Sequence, residues 1–250
     1  MTQTILRPNA APLYGFLSLI AANQTNPDSF LTGRILDCGA GGELPPLLLF
    51  REHGLEGWGI DISPEALEKA RKAGQHKGVQ LHLEEADMRR IPYSEGTFDY
   101  IYEHYSMCHL SKADTARAVS EMHRVLKPGG LGFLGVISAD TWPKSIFGEE
   151  VGPGEYRGPE SDREHVLHSL FTDPEADQLV EDWEILRKSK QVHYLHQPAD
   201  ELTREEWQEL FSESCGDVAE SEWGDLYESR RDCFQYAHLY YFLKKGEEQV

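Results

Sequence analysis

Arg34-Ile35-Leu36-Asp37-Cys38-Gly39-Ala40-Gly41 is the stretch that decides the fold. It begins as an apolar run of strand character and ends in glycines, which allow a sharp turn and a close approach of the backbone to a ligand. Taken alone, the pattern is also that of an ordinary tight turn. Its meaning therefore depends on the segments that surround it along the chain.

Apolar runs alternate with helical patterns on both sides of this stretch. Helices are predicted at residues 10–23, 45–53, from Ser63-Pro64, at 112–126, from Asp173-Pro174 and at 203–211, and strands at 34–38, 57–61, 79–83, 98–103, 131–138, 183–194 and 234–243. The alternation predicts a doubly wound α/β fold, in which a mostly parallel sheet of seven strands carries helices on both faces and a helical N-terminal extension. Ligands of such sheets bind beyond the carboxyl ends of the strands.

The segments after residue 138 are interpreted as insertions in a single domain of residues 1–250, whose core spans about 30–140. Residues 138–171 are rich in glycine and proline, which predicts a lid with little regular structure. Residues 197–232 predict a helical, acidic insertion. Neither insertion is expected to fold as a separate domain.

Carboxylates follow two of the predicted strands at their ligand-facing ends. Asp61 ends the second strand, where it could accept hydrogen bonds from both hydroxyls of a ribose or cap the helix that follows. Asp87 follows the third strand and could accept from the amine of adenine, while the Met88 N–H donates to a ring nitrogen. A solvated loop acid would have the same sequence, so the nucleoside site rests on the two carboxylates together.

A glycine turn between a strand and a helix could also belong to a dinucleotide-binding site. A dinucleotide site requires the spacing Gly-x-Gly-x-x-Gly, and counting from Gly39 the third glycine would fall at Leu44. That mismatch disfavours a nicotinamide-dependent oxidoreductase, which stays as one alternative. The other alternative is a non-catalytic protein that keeps the nucleotide site.

Five motifs occur in order at fitting spacings. They are Ile35-Leu36-Asp37-Cys38-Gly39-Ala40-Gly41, Gly59-Ile60-Asp61-Ile62-Ser63, Glu85-Ala86-Asp87, Phe98-Asp99-Tyr100-Ile101 and Arg124-Val125-Leu126-Lys127-Pro128-Gly129-Gly130. Together they resemble the class I S-adenosylmethionine-dependent methyltransferases, especially the small-molecule branch, over about residues 30 to 140. The resemblance implies S-adenosylmethionine as cofactor and an in-line transfer of its methyl group to a small-molecule acceptor.

The resemblance also implies roles for individual residues. Asp37, Gly39, Ala40 and Gly41 would hold the methionine part of the cofactor, Asp61 the ribose, Ile62 a face of adenine, Asp87 and Met88 the adenine edge, and Tyr102 and Glu103 the far side of the methionine pocket. One residue departs from the family, which often has glycine where Glu43 stands. The conformation of the turn is left open by that difference.

Methyl transfer from a sulfonium depends more on the orientation of the acceptor than on acid or base groups. The methyl group of a sulfonium is already reactive, and holding a nucleophile in line with it contributes about 7–11 kcal/mol. A base is needed only where the nucleophile must lose a proton. The candidates by position are Glu103, His104 and Tyr105.

Acceptor contacts are expected from the predicted lid and the N-terminal helix. The candidates are Tyr14, Trp142, His165 and His168. Asp162, His165 and His168 have three-residue spacing and would share a face if that segment were helical. A polar lid edge is favoured over a metal site, because a catalytic zinc site has a fuller ligand set; no metal is expected.

The composition narrows the classes of partner. The formal charge is 24 − 43 = −19, and so acidic a protein repels phosphate backbones, which disfavours nucleic acid and favours a small-molecule substrate. Four scattered cysteines favour neither a zinc knuckle nor a disulfide scaffold. With neither a signal-peptide pattern nor an apolar run long enough for a membrane span, we expect a cytoplasmic protein without membrane partners. The acceptor atom and the oligomeric state stay open.

Overall fold

The computed structural model describes residues 11–24, 30–160, 163–194, 203–206, 208–209, 223–224, 227 and 235–247. The helices are α1 (Ala11–Ala22), α2 (Leu47–Glu52), α3 (Pro64–His76), α4 (Lys112–Val125) and α5 (Asp173–Leu179). The strands are β1 (Arg34–Cys38), β2 (Glu56–Asp61), β3 (His82–Glu85), β4 (Phe98–Tyr102), β5 (Leu126–Ser138), β6 (Glu149–Gly152), β7 (Glu155–Glu160), β8 (Arg163–Phe171), β9 (Trp183–Tyr194) and β10 (Gln235–Lys245). Among the described residues, no helix combines the length and the apolar character needed to cross a membrane.

Seven of these strands form the sheet that the sequence predicts. Their order is β3-β2-β1-β4-β5-β10-β9, with β1 to β5 parallel and β10 antiparallel to both of its neighbours. The predicted doubly wound α/β fold is confirmed. The strand count is three too low, because β6, β7 and β8 extend the sheet.

Helices cover both faces of this sheet. On one face α1 packs Leu13, Phe16 and Ile20 into a buried cluster with side chains of β5 and β10, and the rings of Phe16 and Phe133 lie 5.8 Å apart. On the other face α4 buries Ala118, Val119, Met122 and Val125 against β1, β4 and β5. Each buried large apolar side chain stabilises the fold by about 1.5–3 kcal/mol, so the two clusters hold the helices against the faces of the sheet.

The third strand begins later than the sequence predicts. Gly78 has φ +68°, a left-handed conformation that ends α3, and the Val79 N–H donates to the Gly74 carbonyl at 3.0 Å. Because this helix cap uses the backbone of Val79, β3 starts only at His82.

The structure of residues 149–171 differs from a second prediction, that of a lid over residues 138–171. The stretch expected to have little regular structure forms an antiparallel meander of β6, β7 and β8. β5 extends past the end of β4, and its last residues Ile137 and Ser138 pair in parallel with β8. The glycines mark turns and close contacts within the meander: Gly148 and Gly154 have φ +93° and +70°.

The predicted acidic insertion and the first ten residues lie largely outside the described residues. Within the insertion, residues 204–206 and 208–209 are helical, as the sequence predicts for 203–211. The other predicted elements occur close to their expected positions, including α5, β9 and β10.

Candidate active site

A cavity of about 790 Å³ lies at the carboxyl ends of β1, β2 and β4, within the size range of small-molecule sites. It is lined by Asp37, Gly39, Gly41, Gly42, Pro46, Ile60, Asp61, Ile62, Ser63, Glu65, Ala66, Lys69, Ala86, Asp87, Met88, Arg89, His104, Tyr105, Ser106, His109 and Leu110. The parallel strands bring these residues together because their carboxyl ends share one edge of the sheet.

The glycine turn after β1 is held closely against its neighbours. Gly39 has φ +120°, and a methyl group added there would overlap Ser106. The N–H groups of Gly39 and Ala40 both donate to the Ile60 carbonyl at 2.9 Å. A methyl group on Gly41 would meet the Asp61 carboxylate at 2.5 Å, so this turn accepts glycine at both positions for steric reasons.

Asp61 connects the turn to the start of α3. Its Oδ2 accepts from the Gly41 N–H at 3.0 Å and its Oδ1 from the Ser63 N–H at 2.8 Å. The Ser63 hydroxyl in turn caps α3 by accepting from the Ala66 N–H. Each carboxylate oxygen keeps a second lone pair, so Asp61 can still accept from two hydroxyls at the cavity wall. The sequence left a choice between ribose ligand and helix cap; the structure gives the cap to Ser63.

Asp37 and Glu103 are two buried acidic residues that lie behind the turn. Asp37 Oδ2 accepts from the Tyr102 hydroxyl at 2.5 Å. Glu103 Oε1 accepts from the N–H groups of Ser106 and Met107, while its Oε2 is buried and has no hydrogen-bond partner. Burial, with a smaller contribution from the charge on Asp37, raises the pKa of Glu103 to about 8. A cationic ligand group here would satisfy the buried oxygen.

Asp87 lies at the other end of the cavity, where Arg89 holds it by hydrogen bonds. Both carboxylate oxygens accept from the Arg89 guanidinium, and Oδ1 also accepts from the Arg89 N–H at 2.9 Å. These bonds hold the pKa of Asp87 below its ordinary value. Arg89 also bonds Asp114 of α4 at 2.9 Å, so the acid is fixed to a helix and is not a freely solvated loop residue.

Tyr105 occupies an unusual backbone position at the open end. Its φ of +69° is the only positive value among the non-glycine residues of the described part of the chain. Its hydroxyl lies 2.6 Å from that of Tyr240, and its ring is 4.2 Å from that of His104. Burial raises the pKa of Tyr105 above its ordinary value. Strained conformations of this kind cost about 1–3 kcal/mol and concentrate at functional sites.

The cavity brings together most of the predicted cofactor residues. Asp37, Gly39, Gly41, Asp61, Ile62, Asp87 and Met88 line it, as do two of the candidate bases, His104 and Tyr105. Ala40, Tyr102 and Glu103 do not, and all three are fully buried behind the lining. Tyr102 donates to Asp37, and Glu103 holds the loop after β4, contacts that strand spacing does not reveal.

The predicted acceptor residues are dispersed. Tyr14 lies on the exposed side of α1, and Trp142 forms a backbone bridge with Gln235; neither lines the cavity. His165 and His168 belong to β8, where an odd spacing puts them on opposite faces: His165 is exposed and His168 buried. The shared helical face with Asp162 is therefore wrong.

Of these four residues, His168 is the one whose ring contacts a residue that lines the cavity. Its ring lies 4.9 Å from that of His109, which is a lining residue. Asp162 lies outside the described residues. In the part of the chain that is described, no three His, Cys, Asp or Glu side chains converge as metal ligands would.

Sequence reasoning did not name several of the lining residues, among them Arg89, Ser106, His109 and Leu110. Arg89 carried a signal, because an arginine two residues after an acid can close an ion pair onto it. The other three follow β4, and only the contact of Ser106 with the glycine turn shows that this loop folds back over the cavity.

Comparison with known proteins agrees with this geometry. Residues 35–130 match the family described as methyltransferase domain. A solved S-adenosylmethionine-dependent methyltransferase from Methanosarcina mazei superposes with a TM-score of 0.64 over 97% of this chain and 99% of its own, at 18% identity. Residues 35–130 therefore resemble a methyltransferase domain, and the solved structure shows that the same fold extends over nearly the whole chain.

Curated relatives cover parts of the chain. A demethylmenaquinone methyltransferase of Thermus thermophilus is 35% identical over 116 residues, which are 46% of this chain and 51% of the relative. A sarcosine/dimethylglycine N-methyltransferase of Halorhodospira halochloris is 29% identical over 129 residues, 50% of this chain and 44% of the relative. The chain thus spans about half the length of these relatives, and the two are named for unlike acceptors.

Two observations indicate that the site residues are suited to S-adenosylmethionine. The unpartnered oxygen of Glu103 lies in a buried acidic region suited to the methionine ammonium, beside Asp37. The glycines of the turn leave space that side chains would fill, so the backbone can approach a ligand closely.

Proposed function

We infer that the protein is an enzyme that transfers the methyl group of S-adenosylmethionine to a small-molecule acceptor by in-line displacement. The observation that carries this proposal is the arrangement of Asp37, Asp61 and Asp87. These carboxylates lie at or just beyond the carboxyl ends of β1, β2 and β3, and all three line one cavity beside a glycine turn. Such a series matches an ammonium, a ribose and an adenine amine in order.

Five of the lining residues are assigned a role in holding the cofactor. Asp37 would bind the methionine ammonium, with Glu103 behind it. Asp61 would accept from the ribose hydroxyls. Ile62, which is 72% exposed at the cavity wall, would cover a face of adenine. Asp87 and the Met88 N–H would bind the adenine edge.

The chain's own part in the reaction is to orient the acceptor and exclude water. The bound cofactor supplies a methyl group on a sulfonium, which is the electrophile. His104 and Tyr105 stand at the open end of the cavity and are the residues proposed to face the acceptor. Glu103 uses one oxygen to hold the backbone of Ser106 and Met107, so we assign it to the loop and not to proton removal.

The finer parts of the proposal concern the surroundings of the site. We place the acceptor under the segment 138–171, with the meander acting as a lid against the N-terminal helix. We further propose one domain over residues 1–250, a cytoplasmic location and no nucleic-acid partner, the last supported by the formal charge of −19.

Two measurements test the proposed function. Calorimetry with S-adenosylmethionine and with NADH separates it from an oxidoreductase, since only the first should bind. Incubation of a metabolite extract with methyl-labelled cofactor should transfer label to one compound in wild type and to none in Asp61→Ala. Tight cofactor binding without label transfer to any compound would favour the non-catalytic alternative.

A further inference from the structure

A buried tyrosine on β4 is hydrogen-bonded to Asp37, the carboxylate proposed to bind the methionine ammonium. Tyr102 and Asp37 are partners across the parallel strands β4 and β1, so their side chains lie on the same face of the sheet. The Tyr102 hydroxyl donates to Asp37 Oδ2 at 2.5 Å. Tyr102 is fully buried and does not line the cavity, whereas Asp37 does. Any effect of the Tyr102 hydroxyl on a ligand must therefore act through Asp37.

The ring of Tyr102 is held firmly by its neighbours. It lies 4.9 Å from the ring of Phe50 in α2 and belongs to the buried cluster that α1 forms with the sheet. Side chains in such closely packed interiors stay in one rotamer. The packing thus holds the Tyr102 hydroxyl at one point, and the hydroxyl holds the carboxylate of Asp37 in one orientation.

The hydroxyl of Tyr102 keeps its proton. Burial, with further contributions from the charge on Asp37 and from the hydrogen bond to it, raises the pKa of Tyr102 well above its ordinary value. An ionised carboxylate can only accept, and hydrogen bonds to charged groups are the stronger kind. Asp37 is 2% exposed, so little water could replace the bond if the hydroxyl were removed.

We propose that Tyr102 is a positioning residue, which holds the Asp37 carboxylate so that the cavity selects ligands carrying the amino-acid part of the cofactor. This inference rests on the proposed function and deepens it. The resemblance implied that Tyr102 lines the methionine pocket; the proposal instead gives it an action through Asp37. An ammonium binds through directional N–H bonds, and an acceptor already held in place loses less freedom on binding.

The nucleoside end of the cavity is held by other contacts. Asp61 accepts from backbone N–H groups of the glycine turn and of the start of α3, and Asp87 accepts from Arg89. Tyr102 takes part in none of these bonds. A ligand that lacks the amino-acid part should therefore bind equally well with and without the Tyr102 hydroxyl.

The test compares two ligands in Tyr102→Phe, which loses the hydroxyl and keeps the ring. S-adenosylhomocysteine, the demethylated cofactor, has the ammonium and the carboxylate of the methionine part. Methylthioadenosine has the same adenine, ribose and sulfur without them. By calorimetry, the affinity for S-adenosylhomocysteine should fall by about tenfold, and that for methylthioadenosine should stay within about twofold of wild type. A merely structural role would lower both affinities together.

Tyr100→Phe is the matched control. Tyr100 lies on the same strand, its hydroxyl accepts from Gln24 Nε2 at 3.0 Å, and it does not line the cavity. Both affinities should stay at the wild-type value in this variant.

A double variant tests whether the effect passes through Asp37. Asp37→Asn removes the charge that the ammonium would meet, so there is no longer an ionised acceptor for Tyr102 to position. Adding Tyr102→Phe to Asp37→Asn should therefore lower the affinity for S-adenosylhomocysteine by less than about twofold. A full tenfold loss in the double variant would contradict the proposal.

Two further results would overturn the proposal: equal affinity of wild type and Tyr102→Phe for S-adenosylhomocysteine, or equal losses for the two ligands. Failure of the proposed function gives a different result, because wild type would then bind neither ligand. ¹³C NMR of wild type labelled at tyrosine Cζ makes the same comparison without a variant. The Tyr102 signal should move with S-adenosylhomocysteine and stay with methylthioadenosine; movement with both ligands, or with neither, would contradict the assigned role.

Discussion

At the residue scale, Asp61 and Glu103 show that one carboxylate can serve both the fold and the ligand. Asp61 accepts two backbone N–H groups that connect the glycine turn to the start of α3, and it lines the cavity as well. Glu103 holds two backbone N–H groups of the loop after β4 and keeps one oxygen without a partner. Changing either residue should therefore alter stability and cofactor binding together.

Replacing Asp61 should remove cofactor binding. Asp61→Ala loses charge-assisted hydrogen bonds worth about 1.5–3 kcal/mol each, so affinity should fall by about a hundredfold or more. The loss of the bond to Gly41 should also reduce stability by about 1 kcal/mol. Isothermal titration calorimetry measures the first effect and urea denaturation the second.

Glu65→Ala is the matched control for Asp61→Ala. Glu65 lines the same cavity, and replacing it removes the same charge as replacing Asp61 does. Unlike Asp61, Glu65 is exposed and forms an ion pair with Lys69. Cofactor affinity should stay near the wild-type value in this variant. Equal losses in the two variants would assign the effect to net charge and not to the position of Asp61.

Glu103 should make stability fall as the pH rises. Burial raises the pKa of Glu103 from its ordinary 4.5 to about 8, so the folded chain keeps a proton that the unfolded chain has lost. Its contribution is complete below about pH 4.5 and is lost as the pH rises through about 8. Wild type should therefore lose stability relative to Glu103→Gln between about pH 5 and pH 8.

Denaturation at several pH values measures this difference, with Glu121→Gln as control. Hydrogen bonds from Arg124 hold the pKa of Glu121 below its ordinary value, so its contribution should be constant above about pH 5. A pH-independent difference between wild type and Glu103→Gln would show that Glu103 is ionised in the folded chain.

At the scale of elements, the glycine turn shapes the wall of the cavity, whereas the meander contributes none of its lining residues. The turn leaves no room at Gly39 because the loop after β4 lies against it. The meander is attached at its last strand to the end of β5 and by Glu155 to the start of α4, whose Lys112 N–H donates to it at 2.7 Å. Both contacts join segments that are far apart in sequence.

Gly39→Ala should destabilise the protein more than Gly78→Ala does. Both glycines have positive φ, so each substitution carries a similar backbone cost of about 1 kcal/mol. At Gly78 the added methyl group meets nothing within 4 Å, whereas at Gly39 it meets Ser106. The overlap should add about 1–3 kcal/mol and weaken cofactor binding.

Chemical denaturation and calorimetry on both variants separate the two effects. Cofactor affinity should stay unchanged in Gly78→Ala, which lies away from the cavity. Equal stability losses in the two variants would mean that Ser106 moves aside at little cost.

Glu155→Ala should loosen the meander while leaving the cofactor site intact. The variant removes the acceptor of the Lys112 N–H at the start of α4, a bond worth about 1 kcal/mol. Amide hydrogen exchange in β7 should become faster, with cofactor affinity unchanged. Glu149→Ala, an exposed carboxylate of β6, is the control and should exchange as wild type does. Unchanged exchange in Glu155→Ala would show that strand pairing alone holds the meander.

At the scale of the whole molecule, the acidic excess influences which ligands the protein attracts. Of the 24 basic residues, several are engaged locally: Lys188 and Lys190 of β9 both pair with Asp173 of α5. Exposed pairs of this kind contribute little to stability. The excess negative charge therefore favours small ligands over phosphate backbones.

Saturation with S-adenosylmethionine should stabilise the whole fold. A ligand at about a hundred times its dissociation constant adds about 2.7 kcal/mol, which raises the midpoint of a chain this long by about 5–10 °C. Thermal denaturation with S-adenosylmethionine should show this shift, and NADH should give none. The shift should disappear in Asp61→Ala. An equal shift with NADH would contradict the assigned cofactor.

The sequence by itself determined the sheet core and the cofactor end of the site. Strand periodicity, helix caps and turn glycines are local signals, so β1, β2, β4, α3 and α4 occur near their predicted positions. Asp61 and Asp87 were predictable for the same reason, since Asp61 ends β2 and Asp87 lies two residues beyond β3, and the carboxyl ends of both strands must lie at the ligand edge.

Only the tertiary structure decided the acceptor end. Glycine and proline in residues 149–171 fit turns of a meander as well as a disordered lid, and the pairing of β8 with β5 is a contact between distant segments. The meeting of His238 with Tyr105 likewise joins residues 133 positions apart in sequence, a distance over which propensity and spacing carry no information. Long-range packing, not local pattern, therefore decides the surroundings of Tyr105.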